Sequence, residues 1–433
     1  LKAAGWPVTL ALLGSKAGLS GDAALMADKW DGAILSLTPD VLMDILADHG
    51  LVVDAIFGAG LCRPVEGQVA ELIHKINTLD ITVVAVDVPS GIDGNSGQIM
   101  GAALRANSTV TFFHRKVGHL LYPGREYCGE LEVTDIGIPN RVLCDIKPET
   151  RCNDPVLWRD SFPQPAASGH KYNRGHGVVI SGGMANGGAA RLSARAALRI
   201  GAGLVSISCP ADATPAHAAQ LTAVMIKPFS GEGDIDDLLT DERLNCWCAG
   251  PGNGISEQTK SHVLKILAAG RGAVIDADGL SVFSDEPDEL FTAIKASGRI
   301  PVLTPHDGEF SRLFPDLVAG KKGYNKLTSA RQAATRAGAV VIFKGPDTVI
   351  ASPDGRAVIN DNAPQTLATA GSGDVLAGLC LGLMAQGMPA FEAASAAVWV
   401  HGAAASAFGP GLISEDIEGR IPDVLRYISE LGE

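Results

Sequence analysis

The stretch 371–385 reads Gly-Ser-Gly-Asp-Val-Leu-Ala-Gly-Leu-Cys-Leu-Gly-Leu-Met-Ala, a glycine turn that runs into an apolar helix. The glycines let a phosphate approach the backbone, and the free amides of the first helical turn carry a partial positive charge. Asp374 lies in that turn, where it could take a proton from an attacking hydroxyl. It could also be a first-turn carboxylate that only complements the helix dipole. The motif therefore predicts an anion-binding turn and leaves the role of Asp374 open.

Aliphatic segments alternate with helical patterns along the rest of the chain, which is typical of an α/β fold with open, mostly parallel sheets. The predicted strands are Val8–Leu13, Leu51–Phe57, Ile81–Val86, Thr109–Phe113, Gly177–Ser181, Leu204–Cys209, Cys246–Ala249, Ala273–Asp276, Val302–Thr304 and Ala339–Phe343. The predicted helices include Val41–Asp48, Gln68–Asn77, Ala189–Ile200, Gly373–Ala385 and Ala390–Phe408.

The chain has 433 residues, more than one compact core usually holds, so two domains are expected. Periodicity fades over residues 140–176, where Pro, Cys, Asn and His collect. We therefore predict one domain over residues 1–145, a linker over 146–167 and a second domain over 168–433.

Charge and cysteine content exclude several classes of protein. The net charge of −13 disfavours a general nucleic-acid binder. No apolar run reaches the ~18 residues that span a bilayer, so no membrane association is expected. The eight cysteines form no CxxC pair, which argues against a zinc site and favours reduced thiols in the cytoplasm. We also expect a homo-oligomer.

Four further loops follow predicted strands in the C-terminal half. They are residues 182–188 (Gly-Gly-Met-Ala-Asn-Gly-Gly), 250–254 (Gly-Pro-Gly-Asn-Gly), 304–309 (Thr-Pro-His-Asp-Gly-Glu) and 344–348 (Lys-Gly-Pro-Asp-Thr). In open α/β sheets such loops gather at one crevice, so all of them could face one ligand. Taken singly, Lys344 could be an exposed hairpin residue and His306 a helix cap.

The C-terminal half strongly resembles the NAD(P)H-hydrate dehydratase family over residues 168–430. The motifs that carry the resemblance are His170-Lys171, Gly188-Ala189-Ala190, the segment 196–205, the segment 250–254, Ile275-Asp276-Ala277-Asp278, Thr304-Pro305-His306, Lys344-Gly345 and the segment 368–374. The family has a ribokinase-like fold and removes water from hydrated NADH or NADPH, with ADP or ATP as phosphoryl donor and Mg²⁺.

This resemblance implies roles for individual residues. Asp374 would deprotonate the C6 hydroxyl while the amides around Gly373 stabilise the transferred phosphoryl group. The residues implied to hold the adenine nucleotide are Lys344, Gly345, Pro346, Asp347 and Thr348; those implied to contact the hydrate are Ala189, Gly254 and His306. The family usually has Asn-Pro-Gly-Met where this chain has residues 364–367, Pro-Gln-Thr-Leu, so nucleotide affinity is expected to differ.

In the N-terminal half, Asp54 lies near the end of one predicted strand and Asp87 directly follows another, and Gly or Pro turns the chain after each. Each could simply cap a turn. With Ser90, residues 113–118 (Phe-His-Arg-Lys-Val-Gly) and Tyr122-Pro123-Gly124, they resemble the NAD(P)H-hydrate epimerase family, which interconverts the R and S hydrates and binds potassium.

The second resemblance implies Asp54 and Ser90 as potassium ligands and Asp87 as a substrate contact and acid or base. Lys116 is a further catalytic candidate, although it could be an ordinary loop lysine. The dinucleotide would contact Gly58, Ala59, Gly60, Leu61, Cys62, Arg63 and Pro64. The family's Asn-Asn-Gly-Gly-Asp phosphate loop is not found, so we expect the first part of this domain to be missing from the sequence.

The two resemblances, in this order, match a bifunctional enzyme that repairs NADHX and NADPHX, the hydrated cofactors. One rival hypothesis is a ribokinase-like kinase that phosphorylates a small alcohol such as a vitamin precursor. The glycine turn and its Asp374 would serve that reaction equally well. A second rival is a nucleotide-binding regulatory protein without turnover, against which the presence of Asp374 argues.

Overall fold

The structure is a computed structural model, and it describes residues 1–46, 49–165, 168–230, 234–318 and 324–431. Its internal contacts divide the chain into two units, Leu1–Ile146 and Lys147–Glu433. Both units are α/β, as predicted, and the fold class is confirmed. The domain bounds inferred from the sequence remain a prediction.

The first unit contains two parallel sheets. Its strands are β1 (Leu10–Leu12), β2 (Ile34–Ser36), β3 (Leu51–Asp54), β4 (Thr82–Val86), β5 (Ser108–Phe112) and β6 (Glu130–Thr134). Its helices are α1 (Gly21–Lys29), α2 (Pro39–Leu46), α3 (Gly67–Asn77), α4 (Gly124–Tyr127) and α5 (Val142–Ile146). β1 pairs with β2, and β3–β4–β5–β6 form a separate sheet in that order. The last two residues of the predicted helix 41–48 lie outside the described residues.

The parallel strands β3 and β4 bring two acidic residues to one edge of the larger sheet. Asp54 is the last residue of β3, and Asp87 directly follows β4. The predicted strand 51–57 stops at Asp54 because that carboxylate accepts a hydrogen bond from the Ile56 amide and turns the chain. The apolar face of α3 buries Leu72 and Ile73 in the core beneath this edge.

The second unit is built around one large sheet. Its strands are β7 (Thr150–Cys152), β8 (His176–Ile180), β9 (Leu204–Pro210), β10 (Met225–Phe229), β11 (Cys246–Ala249), β12 (Gly272–Ile275), β13 (Val302–Leu303), β14 (Val340–Phe343), β15 (Val349–Ala351) and β16 (Ala357–Ile359). Its helices are α6 (Gly187–Arg199), α7 (Thr214–Ala218), α8 (Asp234–Thr240), α9 (Glu257–Ala268), α10 (Asp278–Ser281), α11 (Pro287–Ala296), α12 (Asp307–Leu313), α13 (Lys326–Ala337), α14 (Ser372–Ala385), α15 (Ala390–Phe408) and α16 (Ser414–Glu430).

Among the described residues, the strand order of this sheet is β10-β9-β8-β11-β12-β13-β14-β15-β16-β7. The seven neighbouring strands from β10 through β9, β8, β11, β12 and β13 to β14 are parallel. The pairs β14–β15 and β15–β16 are antiparallel. Every residue of β8, β11 and β14 is buried, which is typical of parallel strands covered on both faces. The loops after β8, β11, β12, β13 and β14 therefore meet at one edge.

Part of the predicted linker 146–167 belongs to the second unit. β7 pairs with β16, and Trp158 is 1% exposed with its ring 6.0 Å from that of Trp399. Asn153 donates hydrogen bonds to Asn360 and to the carbonyl of Ser395. Periodicity failed to reveal this because a short strand at a sheet edge is recognised by its pairing partner and not by its own pattern.

Helix α14 is held in place by α6. Ser193 Oγ donates a hydrogen bond of 2.8 Å to the carbonyl of Asp374, and the Gly378 Cα lies against the Ser193 backbone. Only a glycine permits this close approach, which fixes the first turn of α14 at the sheet edge.

No helix among the described residues is long and apolar enough to span a bilayer.

Candidate active sites

Asp374 lies half-buried in the first turn of α14, which Gly371 introduces with a φ of 85°. Burial is the main reason that the pKa of Asp374 rises to about 6. The negative charge of Asp276 raises this pKa further, and Lys344 opposes the rise. A carboxylate with such a pKa is ionised at neutral pH and is a stronger base than an exposed aspartate, which suits proton abstraction.

A buried cation balances the acidic residues around Asp374. Lys344 Nζ donates to Asp276 Oδ1 over 2.7 Å and lies 4.0 Å from Glu309 Oε2. Burial lowers the pKa of Lys344, but the charges of Asp276 and Glu309 outweigh it and keep the pKa above its ordinary value. Burial raises the pKa of Glu309. Lys344 is therefore not the exposed hairpin residue that the sequence left open.

The glycine turn lies directly over this ion pair. A Cβ built on Gly373 would be 3.5 Å from Lys344 Nζ and 4.0 Å from Asp276 Oδ2. Ala277, which separates Asp276 from Asp278, has a φ of 49°, a conformation that alanine rarely adopts. The strain at Ala277 accompanies the placement of two carboxylates on one tight turn.

Of the predicted hydrate contacts, Ala189 lies in the first turn of α6 and Gly254 lies in the loop after β11. The Gly254 amide donates to Asp278 Oδ2 over 2.8 Å, and Asn253 Nδ2 donates to the carbonyl of Ile180. A Cβ on Gly252 would be 3.4 Å from that of Ala189. The loops after β8 and β11 are thus joined to the turn that carries Asp278.

His306 reaches the same cluster through Glu309. Its Nδ1 accepts hydrogen bonds from the amides of Gly308 and Glu309 and so caps α12, as the alternative interpretation of the sequence proposed. Its Nε2 lies 3.3 Å from Glu309 Oε1, and its side chain is 55% exposed. One edge of the ring is structural, while the rest remains accessible to a ligand.

The predicted nucleotide loop divides into two parts. Lys344 adjoins the glycine turn, and Gly345 lies beside Lys326. Asp347 forms a 2.6 Å ion pair with Lys326 and is 5% exposed. Thr348 Oγ donates to the carbonyl of Gly345. The side chains of Asp347 and Thr348 therefore shape the loop from within.

Sequence reasoning assigned no role to Asp276, Asp278, Glu309 or Lys326. Asp276 and Asp278 lie in a motif of the dehydratase resemblance directly after a strand, and Glu309 ends the predicted loop 304–309, so their positions were an available signal. Lys326, by contrast, begins α13 far upstream of its partner Asp347, and nothing in the local pattern indicates the pairing.

The first unit has its own polar site around Asp87, whose φ of 70° is tolerated by aspartate. Asp87 Oδ1 accepts from Lys116 Nζ at 2.6 Å and from Thr111 Oγ, and its Oδ2 accepts from the Ala59 amide. Burial alone would raise the pKa of Asp87, but these hydrogen bonds outweigh it and lower the pKa. The predicted residues Ala59, Asp87 and Lys116 are thus brought together.

His119 holds this pair in place. Its Nδ1 accepts from the Lys116 amide, so Nε2 carries the proton and donates to the Asp87 carbonyl over 2.9 Å. Burial lowers the pKa of His119, which keeps the ring neutral. Sequence reasoning did not assign this residue a role.

Asp54 and Ser90 also meet, as the epimerase resemblance implies. Asp54 is 2% exposed and accepts from the amide and hydroxyl of Ser90 at 2.7 and 2.6 Å, and Ser90 Oγ accepts from the Phe57 amide. Burial raises the pKa of Asp54.

Of the predicted dinucleotide contacts, Gly58 lies beside the Asp87 carboxylate, while Cys62 is exposed.

The chain matches two family models, NAD(P)H-hydrate dehydratase over residues 178–411 and YjeF-related protein N-terminus over residues 1–118. Its relatives include the bifunctional NAD(P)H-hydrate repair enzyme Nnr of Thermofilum pendens, 34% identical, with 90% of this chain and 75% of the relative covered. Nnr of Salinibacter ruber is 35% identical over 86% of this chain and 71% of its own length.

The fold also resembles solved structures. The ADP/ATP-dependent NAD(P)H-hydrate dehydratase from Bacillus subtilis, co-crystallized with ATP/Mg²⁺, superposes with a TM-score of 0.56 at 24% identity, covering 64% of this chain and 98% of that one. A ribokinase-like superfamily protein from Enterococcus faecalis gives 0.55 at 22% identity, covering 65% and 96%. These matches confirm the ribokinase-like fold. The family models and the relatives show that the chain belongs to the bifunctional NAD(P)H-hydrate repair enzyme family.

Proposed function

We propose that the second unit dehydrates the S hydrates of NADH and NADPH with ADP or ATP, and that the first unit interconverts the R and S hydrates. The observation that carries the first part is the position of Asp374, a partly buried base in the first turn of α14, with Lys344 beneath the same turn. The relatives are named for this repair activity.

In the proposed reaction, Asp374 takes the proton of the C6 hydroxyl. The hydroxyl oxygen attacks the terminal phosphorus of the nucleotide at the same time. The bond between that phosphorus and the bridging oxygen breaks, and AMP or ADP leaves. The C6–oxygen bond then breaks as phosphate departs, and loss of a proton from C5 restores the ring double bond. Phosphorylation is needed because hydroxide is a poor leaving group and phosphate is a good one.

The amides of the glycine turn and the start of α14 would stabilise the transferred phosphoryl group. Among the described residues, no group of three or more His, Cys, Asp or Glu side chains could hold a metal ion. This fits Mg²⁺ that arrives with the nucleotide and neutralises its phosphate charge. Asp278, with one oxygen bonded to Gly254 N, would offer its other oxygen to it.

In the first unit, Asp87 is the proposed acid or base at C6. Lys116 is the cation that stabilises the ionised form of Asp87. Potassium would be held by Asp54 and Ser90, with the Phe57 carbonyl adjoining them 3.3 Å from Ser90 Oγ. A buried carboxylate with hydroxyl and carbonyl oxygens beside it is a fitting donor set for a monovalent cation.

Potassium is expected to stabilise the first unit more than sodium does. Only a cation that fits these oxygens binds them strongly enough to offset the free energy of its own dehydration. Replacing KCl by NaCl at equal ionic strength should lower the melting temperature, measured by differential scanning calorimetry. Asp54→Asn should abolish the difference between the salts. Asp93→Asn, which alters an aspartate that caps a neighbouring turn, should retain it. Equal melting of the natural protein in both salts would remove Asp54 as a potassium ligand.

The proposed activity is tested by mixing the protein with the S epimer of hydrated NADH, Mg²⁺ and ADP or ATP, and following the absorbance of NADH. Recovery that requires the nucleotide supports dehydration, and adding the R epimer then tests the first unit. No recovery with either nucleotide would favour a small-alcohol kinase. We also propose a cytoplasmic location, which the eight free thiols support. A homo-oligomer is the proposed assembly.

A further inference from the structure

Ser414 lies directly beside the glycine turn that introduces α14. It is the first residue of α16 and is 1% exposed. Its Oγ donates a hydrogen bond of 2.5 Å to the carbonyl of Ala370, the residue before Gly371. The same oxygen lies 3.2 Å from the position that a Cβ would take on Gly371, whose φ of 85° favours glycine. The serine hydroxyl therefore occupies the space beside the turn and holds the chain where it enters the helix.

This hydrogen bond concerns the carbonyl that the Asp374 amide would otherwise use. In a regular α-helix that amide donates to the carbonyl four residues earlier, which belongs to Ala370. Here the carbonyl of Ala370 accepts from Ser414 instead. The first such backbone bond that the structure describes for α14 runs from the Val375 amide to the Gly371 carbonyl over 3.2 Å. The Asp374 amide is therefore free to bind an anion.

A second buried hydroxyl holds the other end of the turn. Ser193 on α6 is fully buried, and its Oγ donates to the carbonyl of Asp374 over 2.8 Å. Hydroxyls from α16 and α6 thus fix the carbonyls of Ala370 and Asp374, one on each side of the turn. These two helices are joined to each other by Arg195, whose Nε donates to Glu418 over 3.0 Å. The turn is held from two sides by groups that belong to the fold.

Fixed amides suit phosphoryl transfer. Donors that already point at the developing charge stabilise a transition state without reorganising, and a small displacement of them is costly. Both serine hydroxyls donate to backbone carbonyls, so they act through the turn. We infer that Ser414 is a positioning residue which, together with Ser193, directs the amides of the glycine turn at the transferred phosphoryl group. The inference rests on the proposed dehydratase function.

The test measures steady-state kinetics of Ser414→Ala with the S hydrate of NADH and ADP. We expect kcat to fall about ten-fold. Removal of such a donor costs about 10²–10³-fold, and here the amides are displaced and not removed. KM for ADP should change less than about two-fold, because the amides act mainly on the group in transfer. Ser193→Ala should have the same effect, so the result does not depend on the folding of one variant.

Ser206→Ala is the matched control. Ser206 is fully buried, and its Oγ forms a 2.8 Å hydrogen bond with His176 Nε2 at the start of β8, which is the opposite edge of the sheet. This variant also loses a buried hydroxyl and its hydrogen bond, so the melting temperature should fall to a similar extent. Its kcat per folded molecule should stay unchanged. An unchanged kcat in Ser414→Ala would overturn the inference and leave this serine a structural role alone.

The inference and the proposed function fail in different ways. Absence of turnover in the natural protein would refute the proposed function. Calorimetric binding of ADP with aluminium fluoride, a mimic of the phosphoryl group in transfer, then tests the turn by itself. Weaker binding to Ser414→Ala than to the natural protein would support the role of Ser414, and equal affinity would overturn it.

Discussion

Asp374→Asn is expected to lower kcat for nucleotide-dependent dehydration by about 10²–10⁴-fold, the range for loss of a general base. The amide keeps the shape of the carboxylate but cannot accept the hydroxyl proton. ADP affinity, measured by isothermal titration calorimetry, should change little, because the proposed nucleotide contacts are the Lys344 loop and the amides of the turn. Equal loss of ADP binding and turnover would contradict the role assigned to Asp374.

The fold should survive this substitution. Because burial raises the pKa of Asp374 to about 6, this group stabilises the fold below its ordinary pKa and loses that contribution as pH rises through 6. A neutral asparagine therefore should not lower the melting temperature at pH 7.5. The matched control is Asp288→Asn, which removes an exposed first-turn carboxylate of α11. Full activity of both variants would mean that Asp374, like Asp288, only complements a helix dipole.

The same pKa predicts the pH dependence of the reaction. Asp374 must be ionised to accept a proton, so kcat of the natural protein should fall as pH decreases through about 6. The acidic limb should have the slope of a single ionisation in a plot of log kcat against pH. A limb near the ordinary aspartate pKa would contradict the raised pKa of Asp374.

Lys344→Met is expected to destabilise the second unit by about 3–5 kcal/mol at pH 7.5, the cost of breaking a buried ion pair by removing one partner. The carboxylates of Asp276 and Glu309, whose side chains are 2% and 5% exposed, would be left without their cation. Burial raises the pKa of Glu309, so protonation of Glu309 at lower pH would remove part of the uncompensated charge. The difference from the natural protein in urea unfolding should therefore shrink as pH falls from 8 to 5.

A surface pair provides the control for Lys344. Lys265 and Asp236 form a 2.7 Å ion pair with side chains 27% and 55% exposed, so Lys265→Met should cost at most about 1 kcal/mol. If Lys344 served mainly to hold the nucleotide, Lys344→Met would retain its stability and lose ADP affinity. That outcome would contradict the structural role and favour the role implied by the family resemblance.

Much of the fold and of the site was open to sequence reasoning. The apolar runs at 177–181, 246–249 and 339–343 predicted buried parallel strands because strands covered on both faces need mostly apolar side chains. The glycine turn before Asp374 predicted an anion site, since helix amides are free wherever a helix begins. These features depend on local composition and periodicity, which sequence carries directly.

Tertiary structure decided the partners of the charged side chains. Asp276 and Lys344 are 68 residues apart, and only the order of β12, β13 and β14 in the sheet brings them within 2.7 Å. The same holds for Asp347 and Lys326, which are 21 residues apart and form an ion pair of 2.6 Å. Burial and pairing, which set the charge and the pKa of each group, are properties of the surroundings and not of the residue. The sequence by itself therefore determined the elements and the chemistry available to them, while the packing of distant loops at one sheet edge decided which groups are bases, which are counter-ions and which remain free for a ligand.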